Sequence, residues 1–444
     1  VTKRYIISCA VNDTRVHPGF FASMKQYAKH NGAELLIVAA KYKNPTAKRG
    51  SAKKLRDETY AAQVVPYLTN DEIKLGPQLT LFANLPIQPT ASNPTSGLEV
   101  FCKSSSAIVG HVKRAMQVVP TEHLTPRVLW STSACTVAKY SRSRAGLKAK
   151  KHHVIGAVVV EVKRNGKFFI RNVTANSDGS FSDLDTFYTP TGAVENDNAL
   201  SVTAGDIHVG QDDERSLRAL EQLVGLMQPD HLVVHDVLDF DARSHHRRSP
   251  QERYERRFHT VDAELDANAA FYQRVLRWAV QRDVVVVESN HHEHLMRWLR
   301  EFDVENDVGN APTYHRMWSD LYTEFDRTGE WANPYERAMR QRGVGARVRF
   351  LKRSDSFKLA SVEGGFHGDD GVSGSRGSIL AYTKLGCKVT IGHSHTPGIR
   401  DGVFQTGVTG SLDMGYNRRP TTWLHAHVVL HRDGKRQMVV VVEG

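Results

Sequence analysis

Ser201-Val202-Thr203-Ala204-Gly205-Asp206-Ile207-His208 reads as a short buried strand that breaks at a glycine and then delivers a carboxylate and an imidazole. In extended backbone, residues i and i+2 point to the same side, so Asp206 and His208 can reach one ion. The same construction recurs downstream. Leu232–Val234 is an apolar run ending at His235-Asp236, and Asp239 follows shortly after. Val284–Val287 ends at Ser289-Asn290-His291, and Lys388–Ile391 ends at Gly392-His393-Ser394-His395. His367 lies between the last two clusters, in Gly364-Gly365-Phe366-His367-Gly368-Asp369. Glu214–Met227 repeats Leu217, Leu220, Val224 and Met227 at helical spacing, and Ala263–Gln281 reads as a second helix. Strand–helix alternation predicts an α/β fold with a largely parallel or mixed sheet. The polar clusters fall just after the carboxyl ends of strands, where open α/β sheets place their ligands.

Any one cluster is weak evidence, because isolated D-x-H and H-x-H pairs are common and His367 alone would read as an exposed loop histidine. Together they supply carboxylate, imidazole and amide donors suited to a divalent transition metal. Such a set fits Mn, Fe or Zn better than an all-oxygen Mg or Ca site. Two cations about 3.5–4 Å apart can clamp the attacking and leaving oxygens of a phosphoryl transfer.

The order and spacing of these motifs resemble the calcineurin-like metallophosphoesterase superfamily, over roughly residues 200–444. Its pattern of D-x-H, G-D-x-x-D, G-N-H-D/E, a lone H and G-H-x-H has its counterparts at Asp206-Ile207-His208, Asp236–Asp239, Asn290-His291, His367 and Gly392–His395. Three positions depart from it: His235 and Ser289 replace glycines, and His292 replaces an acid that is displaced to Glu293. The resemblance implies a mixed-sheet sandwich with helices on both faces. It places Asp206, His208 and His395 on one metal, Asn290, His367 and His393 on a second, and Asp236 between them. It makes His291 the imidazole that protonates the leaving oxygen, with Asp239 orienting a ligand or His291. Two divalent ions are expected, Mn foremost, with Fe, Zn or Mg as alternatives. His235, beside the bridging carboxylate, is expected to narrow the site or touch substrate. Phe366–Gly371, Gly374–Ser378 and the preceding Tyr5–Pro45 segment are similar to the phage-encoded branch of the superfamily, related to SbcD-type repair nucleases and including the host-DNA-degrading nucleases of T5-like phages. That branch implies a Mn-dependent DNase acting in the host cytoplasm as a homo-oligomer.

The rest of the 444 residues is less specific. Residues 1–197 read as a smaller α/β or α+β domain. It opens with a strand at Tyr5–Ala10, a helix at Phe20–His30 and a strand at Leu35–Ala40. A hairpin follows, Val154–Val162 and Lys167–Val173 joined by Asn165-Gly166. Residues 198–444 form the catalytic domain, with a helical insertion at 296–360. No apolar run approaches the roughly 20 residues needed to span a bilayer. Tyr5–Val11 reads as a strand rather than a leader, and four scattered cysteines suit a reducing cytoplasm. The net charge of +11 suits a polyanionic partner, and DNA, single- or double-stranded, is the expected one. Arg243, Arg247 and Arg248, in a basic stretch just after the bridging-Asp motif, are the expected phosphate contacts. Tyr314-His315-Arg316-Met317-Trp318 reads equally as a strand-binding surface or as the aromatic core of a helical cap. The alternatives to a nuclease are a phosphatase or phosphodiesterase acting on a small molecule or protein, and a binding scaffold with a vestigial metal centre.

Overall fold

The computed structural model describes residues 2–42, 59–121, 126–244, 251, 254–303, 305–415, 417 and 420–441. Arg247, Arg248, His245 and His246 lie outside them. Lys3–Val11 pairs parallel with Glu34–Ala40 through the helix Pro18–Asn31. His17 starts that helix by accepting the Phe20 N–H on Nδ1 (3.1 Å), Pro18 occupies its first turn, and Gly32 ends it at φ 59°. The predicted hairpin is present as Gly156–Val162 and Phe168–Thr174, with Gly166 at φ 84° in the turn. Alternation along the first strand sends Tyr5, Ile7 and Cys9 to one core and Ile6 and Ala10 to another.

The fold is mixed α/β. A six-stranded sheet runs in the order Val348–Phe350, Asp283–Val286, His231–Val234, Ala199–Thr203, Ala426–His431, Arg436–Val440. Its first four strands are parallel, and the last two are added antiparallel. The helices Glu214–Met227 and Val261–Val275 cover one face, burying Leu217, Leu220, Leu265 and Tyr272 against Val202, Val234 and Val284. Asp213 caps the first of them, accepting from the Arg215 and Ser216 N–H groups. The opposite face meets a ten-stranded sheet: Val428 and Met438 share a core with Met116, Ile399 and Phe404. Helices therefore do not cover both sides equally. Beyond the second sheet, at the strands Lys388–Ile391 and Val403–Gln405, the cover is the four-residue helix Ile379–Tyr382.

The division at residue 197 needs correction. The ten-stranded sheet contains strands from both halves of the chain, joined where Ile399 pairs with Met116. A second seam is polar: Asn172 donates to the Arg436 carbonyl (2.8 Å) and accepts the Met438 N–H (3.0 Å), standing in for a strand neighbour. The N-terminal half is thus built into the C-terminal half. Pairings between residues nearly three hundred positions apart leave no periodic trace in either segment.

The 296–360 segment is also bounded differently. It begins inside the helix Asn290–Glu301, continues through Ala311–Thr328 and Pro334–Gln341, and ends on the edge strand Val348–Phe350. Its aromatic run is a cap core: Tyr314 stacks on Phe302 at 4.3 Å, Met317 is buried, and Arg316 pairs with Asp262 at 2.8 Å.

Candidate metal centre

Parallel pairing brings the carboxyl ends of Ala199–Thr203, His231–Val234 and Asp283–Val286 to one edge, so the residues that follow each strand meet there. The turns that carry them are strained. His208, Asp236, His393 and His395 all hold positive φ, at 54°, 44°, 73° and 57°. Non-glycine residues occupy that region at a cost and gather at functional sites. Gly392 is required where it stands, because a Cβ there would lie 2.3 Å from Asp206 Oδ1 and 3.2 Å from the His235 ring.

Four side chains converge within one group: Asp206, His208, Asp236 and His395, all buried. His208 Nε2 lies 2.9 Å from His395 Nε2, and His395 Nε2 lies 3.3 Å from Asp206 Oδ2. His208 Nδ1 is 2.8 Å from Asp239 Oδ1, which directs its Nε2 lone pair inward. His367 Nε2 approaches Asp236 Oδ2 to 3.1 Å without the alignment of a hydrogen bond, and its ring stands 5.1 Å from that of His393. His393 joins none of the tight clusters of acid and imidazole atoms. Asn290 opens its helix, and its buried Oδ1 has no donor.

Among the described residues, both oxygens of Asp206 and Oδ1 of Asp236 are likewise buried with no hydrogen-bond donor. Such orphaned acceptors are costly unless something else satisfies them. Burial alone would raise the Asp206 carboxyl; the His395 imidazole and the charge on His367 outweigh it and hold it below the usual range. Burial opposes ionisation of Asp236 too, yet His367 and His291 hold it well below. Burial works against protonating His367, but Asp236 and Asp206 prevail and raise it to about 9. His395 is lowered, chiefly by burial. Two carboxylates kept ionised in a buried pocket call for positive charge, and the set of donors fits a divalent cation.

His291 stands at the edge of this cluster, its side chain 17% exposed. Its Nδ1 lies 2.8 Å from the Asp239 carbonyl oxygen, which fixes that nitrogen as a donor and leaves Nε2 free. Asp239 therefore positions both His208, through its carboxylate, and His291, through its carbonyl. His292 turns the other way. It accepts the Ser289 N–H on Nδ1 (3.2 Å) and stacks on Tyr335 at 4.5 Å.

Two expected substrate contacts are displaced. His235 is fully buried, with Nδ1 3.3 Å from His367 Nδ1, so it stands behind that imidazole. It groups with Asp206 and His367 as a further candidate donor. Arg243 turns its guanidinium onto the Asp307 carboxylate and the His259 carbonyl, so it is committed to the fold. Other supports escaped the motifs. Glu264 accepts the Asp241 and Ala242 N–H groups (2.9 and 2.8 Å) and pins the loop after Asp239; burial raises its carboxyl to about 8. Arg353 joins Glu293 (2.7 Å), the displaced acid, to Asp369 (2.7 Å) two residues from His367. Arg353 carries no spacing signal. Trp423 packs edge-on against His395 at 4.2 Å.

Fold and site together define a mixed α/β protein with a buried Asp/His cluster that could hold metal. No family model matches the chain, and no solved structure matches it. Protein A1 of Escherichia phage T5 is 34% identical over 460 aligned residues, covering 98% of this chain and 81% of the phage protein. The chain belongs to the family of that phage protein. No helix among the described residues is long and apolar enough to cross a membrane.

Proposed function

We propose that this protein is a two-metal phosphodiesterase of the calcineurin-like type, and that its substrate is DNA. One observation carries the reading: the buried, ionised and donor-less oxygens of Asp206 and Asp236 face imidazoles contributed by three other strand ends. In this reading Asp206, His208 and His395 hold one ion, Asn290, His367 and His393 the other, and Asp236 both. Manganese is the preferred metal for this mixed nitrogen and oxygen set. Bound ions would supply a Lewis acid and an acidified water.

The chain's own residues do the rest. Asp239 keeps His208 in the tautomer that can ligate. His291, held through Nδ1–H, presents Nε2 at the open edge, where its imidazolium form would give the Nε2 proton to the departing oxygen and be left neutral. A cavity of about 210 Å³ adjoins His367 and Asp369, and Phe366, Tyr382 and Leu385 line it. Its apolar, aromatic wall suits a planar ring such as a nucleobase. The net charge of +11 favours a polyanion. Action in a host cytoplasm and assembly into a homo-oligomer complete the proposal; Trp331 (51% exposed) and Tyr322 (55%) offer an aromatic face for the latter.

The test is cleavage of plasmid and single-stranded DNA beside a generic aryl phosphodiester, each with Mn, Mg, Zn or EDTA. The proposal expects metal-dependent loss of DNA, abolished by EDTA. Turnover of the small ester with DNA left intact at every metal concentration would instead select the small-molecule phosphodiesterase.

A further inference from the structure

A cavity of about 410 Å³ opens where the two halves of the chain meet, and its walls carry four cationic side chains: Arg114, Lys388, Lys435 and Arg436. None of the described residues lining it is acidic. Among the described residues, no carboxylate lies within ion-pair distance of any of the four. The acids nearby are engaged elsewhere. Asp401 pairs with Lys113 (2.6 Å), Asp178 accepts from the Ser180 hydroxyl and N–H (2.6 and 2.9 Å), and Asp433 caps the Lys435 N–H (2.8 Å).

The two guanidiniums are held by neutral partners only. Arg436 is 4% exposed and donates to Gly402 O (2.5 Å) and Thr390 Oγ1 (3.2 Å). Arg114 donates to Thr174 Oγ1 (2.5 Å), and its buried Nε has no partner. Both stack on Phe404, at 4.3 and 4.9 Å from the ring centre. Hydrogen bonds to carbonyl and hydroxyl oxygens fix their direction but leave their charge uncompensated. Burial, and then the neighbouring cations, depress Lys388, and Arg436 is pushed down to about 9 by burial and Arg114. Four like charges gathered without an acid are an unfavourable arrangement on their own, and an anion among them removes that penalty.

The cavity is remote from the metal centre. Lys388 begins the strand whose far end leads to His393 and His395, so roughly 15 Å of extended chain separates them. His17, the N-cap of the helix Pro18–Asn31, also lines it and adds the positive end of that helix.

We propose that this cavity is an anion site separate from the metal centre, which takes the phosphate group of a small phosphorylated molecule. Arginine and lysine together match phosphate, the guanidinium by its fork and the ammonium as a point charge. Arg114 and His17 come from the N-terminal half, and Lys388, Lys435 and Arg436 come from the other, so the ligand would bind across the seam and stabilise the joined fold.

The test uses the full chain in EDTA, which silences phosphate binding to metal. Inorganic phosphate and a nucleoside monophosphate are titrated separately by calorimetry and thermal unfolding, with chloride at matched ionic strength as the control. Saturable binding is expected, with a rise in Tm beyond the chloride control. The Lys388→Gln/Lys435→Gln variant, which leaves the buried arginines in place, should weaken it by about tenfold or more. Tighter binding of the nucleotide would identify it as the source of the phosphate, and equal affinity would identify a site for bare phosphate. Absence of saturable binding for both probes, a Tm rise no larger than that in chloride, or unchanged affinity in the double variant would overturn the proposal.

Discussion

Among the described residues, two of the buried ionic clusters are built on opposite terms. At the seam between the halves, Arg171 gives Nε and Nη2 to Asp183 (2.8 and 2.9 Å) and Nη2 also to Glu161 (3.1 Å), while Gln437 donates to the same Asp183 (2.8 Å). That network is complete within the protein. At the strand ends, Asp206 and Asp236 are as deeply buried, yet three of their four oxygens have no donor and the backbone around them is strained. A cluster that satisfies itself is a structural joint. One that leaves acceptors unanswered is arranged for something the chain does not contain. The contrast separates stability from function among residues that sequence alone presents as similar charged positions.

The strongest way to break the contrast is at Asp236. Asp236→Ala should lose bound metal and reduce phosphodiester cleavage by at least about 10³-fold, as metal analysis and steady-state rates will report, while the fold persists. His291→Ala should keep its metal and lose about 10²–10⁴-fold, but only on a substrate with a poor leaving group. Near-normal rates on such a substrate would remove His291 from the role of acid. The joint should respond in the opposite sense. Arg171→Met strands a buried Asp183 and should cost about 3–5 kcal/mol in denaturant unfolding, with metal content per folded chain unchanged. Asp183 is held below its ordinary value by Arg171 despite burial. Its contribution is therefore present above the unfolded carboxylate pKa and lost as pH falls through the folded one, a loss that Arg171→Met should abolish.

Protonation sharpens the comparison further. His367 is raised to about 9 in the metal-free fold, so it carries a proton at neutral pH that a metal must displace. Calorimetry in buffers of different ionisation enthalpy should show net proton release on metal binding near pH 7 that diminishes above about pH 9. Without metal, the stability His367 adds is fully present below its unfolded value of about 6.5 and is lost as pH rises through about 9. The smallest effect is expected at Arg243. Arg243→Ala removes a pair with Asp307 that is part of the fold, so it should lower stability modestly and leave the salt dependence of DNA binding unchanged.

Much of the site was legible because each donor follows a strand within a few residues. Asp206, His208, Asp236 and His395 meet as the spacing implied, and His367, a lone loop histidine, stands against Asp236. The strands and helices of 199–286 were legible from their periods, as in Val284–Val286 and the Leu217–Leu220–Val224 stripe, whereas the helix Asn290–Glu301 was not read. What could not be read depended on distant partners. Arg243 looked free for phosphate because Asp307 lies outside its own segment, and His235 was expected to narrow the site or touch substrate because the His367 loop that buries it is more than a hundred residues away. The N-terminal half looked separate because Met116 and Ile399 announce no pairing.

Direct metal analysis tests whether the strand ends hold a metal. Purified wild-type protein, stripped and then titrated with Mn by calorimetry alongside Asp206→Asn and Asp236→Asn, should bind two ions per chain, with binding severely weakened in both variants. A wild-type chain that binds no ion, or variants that bind as the wild type does, would contradict the assignment of this cluster as a metal centre.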